Sequence, residues 1–139
     1  MLKFLKKYFK RAEQKKHFVP QTDHIIAARV IKVEKHPDAD RLRVITLTDG
    51  NRTITPVVCG AFNFDLGAIV PLALPGAQIA RNIHSETHEP FTLGTATIRG
   101  VESQGMICAA FELGMSDELG DKPEILILPE DTPIGKILF

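Results

Sequence analysis

Two regimes of hydrophobic patterning divide the chain. Over residues 2–16 (LKFLKKYFKRAEQKK), Leu2, Phe4, Leu5, Tyr8, Phe9 and Ala12 fall within roughly 160° of arc at about 100° per residue. Lys3, Lys6, Lys7, Lys10 and Arg11 take the opposite face, so the spacing predicts an amphipathic, strongly basic helix. Pro20 and its polar neighbours end it, which sets residues 1–19 apart as helix and linker from a domain over residues 20–139.

From Ile25 onward the pattern turns to short apolar runs rich in Val, Ile and Thr. Strands are predicted over residues 25–35, 42–48, 53–58, 68–74, 92–99, 105–109 and 125–128. Asp49-Gly50 joins the second and third as a hairpin, and Pro56 makes the third an edge or bulged strand. Residues 77–90 are polar and irregular, a short helical interlude is expected near Asn63, and Glu112–Glu118 leaves room for one helical turn. Many short strands punctuated by glycine and proline in about 115 residues predict an all-β domain. A five-stranded barrel of the OB type with extra short strands and the appended helix fits best.

Composition narrows the class. The 44% apolar content is ordinary for a folded domain, and no apolar run approaches the roughly 18 residues of a membrane span. The two cysteines, Cys59 and Cys108, sit in apolar runs without a CxxC, which predicts buried free thiols in a reducing, cytoplasmic setting. The net charge of zero hides an asymmetry. Residues 1–16 hold seven of the chain's 17 basic side chains and, in Glu13, one of its 17 acidic ones. A basic head on an acidic body suggests an anionic partner for the head, with docking on the chain's own body or on a membrane surface as the other readings.

Three stretches carry candidate chemistry. In Arg99–Ala110, Gly100 and Gly105 bracket a polar segment in which Ser103 and Gln104 offer neutral hydrogen-bonding groups and Arg99 a guanidinium fork. That loop reads either as a contact site or as a decorated turn. In His36–Arg43, Arg41 and Arg43 have period-2 spacing, which on a strand puts two guanidinium groups about 7 Å apart on one side, close to the spacing of successive phosphates. Pairing with Asp38 and Asp40 is the competing reading. His84 and His88, with Glu86 and Glu89, have metal-ligand spacing only if helical, and Asn82, Ser85 and Pro90 argue for a loop, so no metal is expected. No nucleophile–base pair, phosphate-binding glycine loop or helical HExxH occurs, and no cofactor is implied.

Taken together, residues 36–44 (HPDADRLRV), 57–63 (VVCGAFN), 70–77 (VPLALPGA), 98–117 (IRGVESQGMICAAFELGMSD) and 125–135 (ILILPEDTPIG) strongly resemble the tRNA-binding domain of the aminoacyl-tRNA synthetases. The likeness is greatest to the OB-fold module near the N-terminus of the bacterial phenylalanyl-tRNA synthetase β subunit, and it covers about residues 24–137. The resemblance implies a non-catalytic domain that binds tRNA by backbone and shape. The implied contacts are Arg41, Arg43, Asn63, Arg99, Ser103, Gln104 and Met106, with the N-terminal helix adding basic side chains. A synthetase or a second copy are further implied partners, the apolar end at Ile134–Phe139 giving a reason to expect an interface.

The chain departs from the family pattern in three places. Residues 92–98 (TLGTATI) replace a lysine-rich strand, Phe62 stands where proline is usual, and the 81–90 loop is longer and more acidic. A free-standing module is favoured over a fragment of the ligase β subunit, and an OB-fold interaction domain that has lost tRNA binding is the other alternative. If the basic helix compensates for the missing lysines, deleting residues 1–18 lowers the salt slope of tRNA binding by roughly 3, at 0.7 per single-strand phosphate.

Overall fold

The computed structural model describes residues 24–122 and 124–138. The predicted basic helix, with Lys3, Lys6, Lys7, Lys10 and Arg11, and the linker at Pro20 lie outside the described residues.

Among the described residues the fold is all-β, with nine strands and no α-helix. They are β1 (Ile25–Lys35), β2 (Arg43–Thr48), β3 (Thr53–Cys59), β4 (Ile69–Ala73), β5 (Gln78–Ile79), β6 (Phe91–Thr92), β7 (Ala96–Ile98), β8 (Val101–Ser103) and β9 (Met106–Ile107). Five form one antiparallel sheet in the order β3-β2-β1-β4-β9, while β5–β6 and β7–β8 are separate two-stranded ladders.

The long strand β1 organises the sheet. Its first half, Ile25–Arg29, pairs with β4, and its second half, Arg29–Lys35, pairs with β2. Between them, Ile31 is an extra residue opposite β2, and it points out to solvent. A bulge of this kind bends a strand and adds twist, and here it lets one strand serve two neighbours as the sheet curls. A second irregularity lies on β3, where residues 54–57 face only residues 45–47 of β2. Pro56, which lacks a donor for the ladder, sits in that bulge and on the sheet edge.

The curled sheet closes through the segment between β8 and β9. Gln104 N–H donates to the Pro56 carbonyl at 2.8 Å, and Val58 N–H donates to Ser103 Oγ at 3.0 Å. On the other side, β9 pairs with β4. Gly105 makes this passage possible: a Cβ there would lie 2.8 Å from the Ala73 carbonyl oxygen, inside contact distance. The barrel core, with Val30, Ile45, Leu47, Val57, Val70 and Leu72, fills the concave face.

A second core covers the other face of β1 and β4, built from Ile25, Ala27, Ile69, Ala73, Ile79, Leu113 and Leu128 among others. Burial on both faces explains why Ile25–Ala28 of β1 and all of β4 are continuously apolar instead of alternating. Leu138 lies in this second core, and the tail is laced to β1 by Ala27 N–H to the Lys136 carbonyl and Leu138 N–H to the Ile25 carbonyl. The apolar end expected to form an interface therefore fills the chain's own core at Leu138, and Ile137 is left exposed.

Several local expectations are corrected. Residues near Asn63 form bends and turns, not helix, and Glu112–Glu118 is a run of turns with no helix. The single strand predicted over 92–99 is split into β6 and β7. Residues 125–128 contribute one bridge, Leu128 to Ile69, in place of a strand. Ile125 and Leu128 are buried, and the segment is held by Leu126 N–H to the Cys108 carbonyl and Leu128 N–H to the Ile69 carbonyl. No helix of the described residues is long and apolar enough to cross a membrane.

Candidate nucleic-acid interface

The β7–β8 hairpin turns through Arg99 and Gly100, both at positive φ (52° and 87°), between the paired residues Ile98 and Val101. This is the two-residue hairpin geometry that matches strand twist and normally selects Asn-Gly. Arginine in the left-handed region is strained by about 1–2 kcal/mol. The hairpin leans on the β1–β2 loop through two contacts. His36, 2% exposed, accepts Asp38 N–H on Nδ1 at 3.0 Å, so Nε2 carries the proton and donates to the Ile98 carbonyl at 3.1 Å. Arg99 Nη2 donates to the Asp38 carbonyl at 3.2 Å. Two stretches 61 and 62 residues apart in the chain thus form one surface.

That surface carries both signs of charge, with Arg41 and Arg99 beside the exposed carboxyl groups of Asp38 and Glu102. Among the described residues, Arg29, Arg52 and Arg81 are ion-paired to Glu130, Asp49 and Asp117, while Arg41, Arg43 and Arg99 have no carboxylate partner. Asp40 pairs with Lys35 instead of the neighbouring arginines. Arg41 is exposed in the loop before β2, not on the strand, so the predicted period-2 pair is not formed.

Arg43 has different surroundings. Its Nη2 donates to the carbonyls of Ala61 (3.2 Å) and Phe64 (2.9 Å), and its Cζ lies 4.7 Å from the ring centroids of both Phe62 and Phe64. Its Nε is buried without a partner. The guanidinium shapes the 61–64 loop and is half-buried beneath it.

The remaining predicted contacts also carry structural bonds. The Asn63 amide donates to the Ile125 carbonyl at 2.9 Å and accepts Ile125 N–H at 3.0 Å. Ser103 is buried, accepting from Val58 and donating to the Gly105 carbonyl at 2.9 Å. Gln104 Nε2 turns back to the Glu102 carboxylate at 3.2 Å. Met106 is half-exposed on β9. The structure therefore joins the Arg99 hairpin to the loop that bears Arg41, sets Arg43 under the 61–64 loop, and gives Asn63 and Ser103 framework bonds.

A separate cleft of about 510 Å³ opens between the end of β3, β9 and the 109–127 segment, with Cys59, Met106, Phe111, Glu112 and Ile125 in its wall. Glu112 is buried there, accepting Ala109 N–H at 2.8 Å, and desolvation raises its pKa from the ordinary 4.5 to about 7. Glu118 and Glu124 also line the cleft, against Lys122. Three carboxyl groups make it a poor seat for phosphates. Both cysteines are free and buried, and burial pushes both thiols up. His84 lines the cleft and His88 packs edge-on against Phe111, 5.2 Å between centroids.

Comparison with known proteins gives the family. Residues 25–137 match the family model described as "Putative tRNA binding domain". The phenylalanine–tRNA ligase β subunit of Dechloromonas aromatica is 42% identical over 119 residues, 86% of this chain and 14% of that protein. The corresponding subunit of Burkholderia lata is 44% identical over 117 residues, 84% of this chain and 14% of its own length. The chain thus spans about one seventh of these relatives. Among solved structures, a methionyl-tRNA synthetase-related protein of Pyrococcus horikoshii shares the fold, with TM-score 0.57, 21% identity, and coverage of 83% of this chain and 88% of that one. The C-terminal domain of Plasmodium vivax p43 does so with TM-score 0.53 and 23% identity, over 80% and 56% of the two chains. By the family match over nearly all of its described residues, and by relatives above 40% identity, this chain belongs to the tRNA-binding domain family.

Proposed function

We propose that the domain is a non-catalytic tRNA-binding module whose RNA-facing surface is the meeting point of the β1–β2 loop and the β7–β8 hairpin. The observation that carries this reading is that Arg99 meets the loop bearing Arg41, through the Asp38 carbonyl, and that neither arginine has a carboxylate partner, while Arg29, Arg52 and Arg81 are ion-paired. Unpaired guanidinium groups are free to replace counterions along a phosphate backbone, which is the main source of affinity in such interfaces. Arg41 and Arg99, on loop and hairpin tip, take phosphates directly, while Arg43 holds the adjacent loop. Gln104 and Met106 lie next to the hairpin and supply peripheral contacts.

The N-terminal basic residues Lys3, Lys6, Lys7, Lys10 and Arg11 extend this charge in the same proposal, with residues 1–19 as an accessory arm. The module works beside a synthetase, as a docked protein or as part of a ligase β subunit, a reading supported by relatives in which the same domain is 14% of the chain. Filter binding of unfractionated tRNA at two salt concentrations tests the proposal. Binding that weakens steeply with salt is expected, and absence of binding even at low salt overturns it.

A further inference from the structure

We propose that Phe62 is a stacking platform for an unpaired nucleobase, a contact that rests on the tRNA-binding reading and adds a recognition element to it. Phe62 is 56% exposed, an unusual state for a phenyl ring. Its immediate chain neighbours are nevertheless pinned. Arg43 Nη2 holds the carbonyls of Ala61 and Phe64, and the Asn63 amide is doubly bonded to the Ile125 backbone. Four hydrogen bonds thus fix residues 61, 63 and 64; of the two exposed residues, Asn63 has its amide bonded to the Ile125 backbone, and Phe62 presents its ring to solvent.

The ring is backed by a cation. Arg43 Cζ sits 4.7 Å from the centroid of exposed Phe62 and 4.7 Å from that of buried Phe64, so the guanidinium links an inner ring to an outer one. Rigid aromatic surface joined to a guanidinium is what single-stranded nucleic acid selects, because every base has a π-face and stacking is tolerant of sequence. Phosphate contact is close by. The Arg43–Cys59 pair ends the β2–β3 ladder, so Arg41 and Phe62 lie two and three residues beyond it on facing chains. The two chains run close there, since a Cβ at Gly60 would lie 3.9 Å from the Arg41 carbonyl oxygen. A base on Phe62 with its phosphate on Arg41 uses both exposed groups at once.

The chain contains no tryptophan, so Phe62→Trp installs a single reporter at the site. Titration of this variant with tRNA, and with a short single-stranded oligoadenylate, is expected to quench indole emission as the base stacks, whereas a blunt RNA duplex leaves it unchanged. Phe62→Ala and Phe62→Leu are expected to weaken tRNA binding roughly 5- to 100-fold with an unaltered salt slope, as loss of one stacked base predicts. Thermal unfolding of both variants near the parent temperature shows that the domain remains folded. Parent-like affinity in both variants, unchanged emission at saturating tRNA, or equal quenching by duplex overturns the platform while leaving tRNA binding intact. A parent protein that binds no tRNA overturns the underlying reading and the platform with it.

Discussion

His36 donates from Nε2 to the carbonyl of Ile98, 3.1 Å away and 62 residues along the chain, while its Nδ1 accepts Asp38 N–H. One neutral ring, fixed in a single tautomer by two backbone groups, thereby ties the β1–β2 loop to the β7–β8 hairpin. Replacing it with alanine leaves the Asp38 donor and Ile98 acceptor unpaired in a site that is 2% exposed. His36→Ala is expected to destabilise the domain by about 2 kcal/mol. Urea unfolding checks this, and the variant's residual tRNA affinity reports how far the hairpin loosens.

Arg41 is expected to act on binding without acting on folding, and Arg99→Asn to trade the bond to the Asp38 carbonyl for relief of backbone strain. Arg41→Ala has no described hydrogen bond or ion pair to lose, and should lower the salt slope of tRNA binding by roughly 0.7–0.9. Arg99→Asn should reduce the slope by a similar amount, and because asparagine tolerates positive φ better, its melting temperature should not fall. Salt-dependent binding isotherms together with thermal scans separate the two effects.

Ser103 makes the opposite prediction. Its hydroxyl receives Val58 N–H where the curled sheet closes, and Ser103→Ala strands that buried donor. The expected cost is about 1–3 kcal/mol in unfolding free energy. Amide exchange at Val58 should accelerate, and the salt slope of tRNA binding should stay at the parent value.

Glu112 gives the fold a pH dependence. Its folded pKa of about 7 lies above the ordinary 4.5, so between these values the folded state keeps a proton that the unfolded state releases. Its contribution is complete below about pH 4.5 and is lost as pH rises through 7, a decline of roughly 3 kcal/mol at most. Glu112→Gln, which keeps the acceptor for Ala109 N–H, should flatten this part of the stability–pH curve.

The fold was legible where signals are local. Asp49-Gly50 marked the β2–β3 hairpin, and Pro56 marked a bulged edge strand, because turn chemistry and a missing donor act within a few residues. The convergence of the two arginine-bearing stretches was not legible from either, since it depends on a bond spanning 62 residues. Arg43 illustrates the limit most clearly. Its spacing from Arg41 suggested a phosphate clamp, but its Nη2 is taken by carbonyls 18 and 21 residues away. β8 escaped prediction because Val101–Ser103 is too short to show a period, and its pairing is set by the Arg99-Gly100 turn.

The lacing of the tail onto β1 has a consequence for how such a domain travels. With Leu138 bonded to Ile25, the chain enters and leaves the fold at neighbouring points. A unit built this way splices into a surface loop of a host protein by joining both cut ends to adjacent strands, with little loop-closure entropy to overcome. The Ile25–Leu138 contact makes the barrel a portable cassette, and grafting residues 24–138 into an exposed loop of an unrelated protein should preserve both folds.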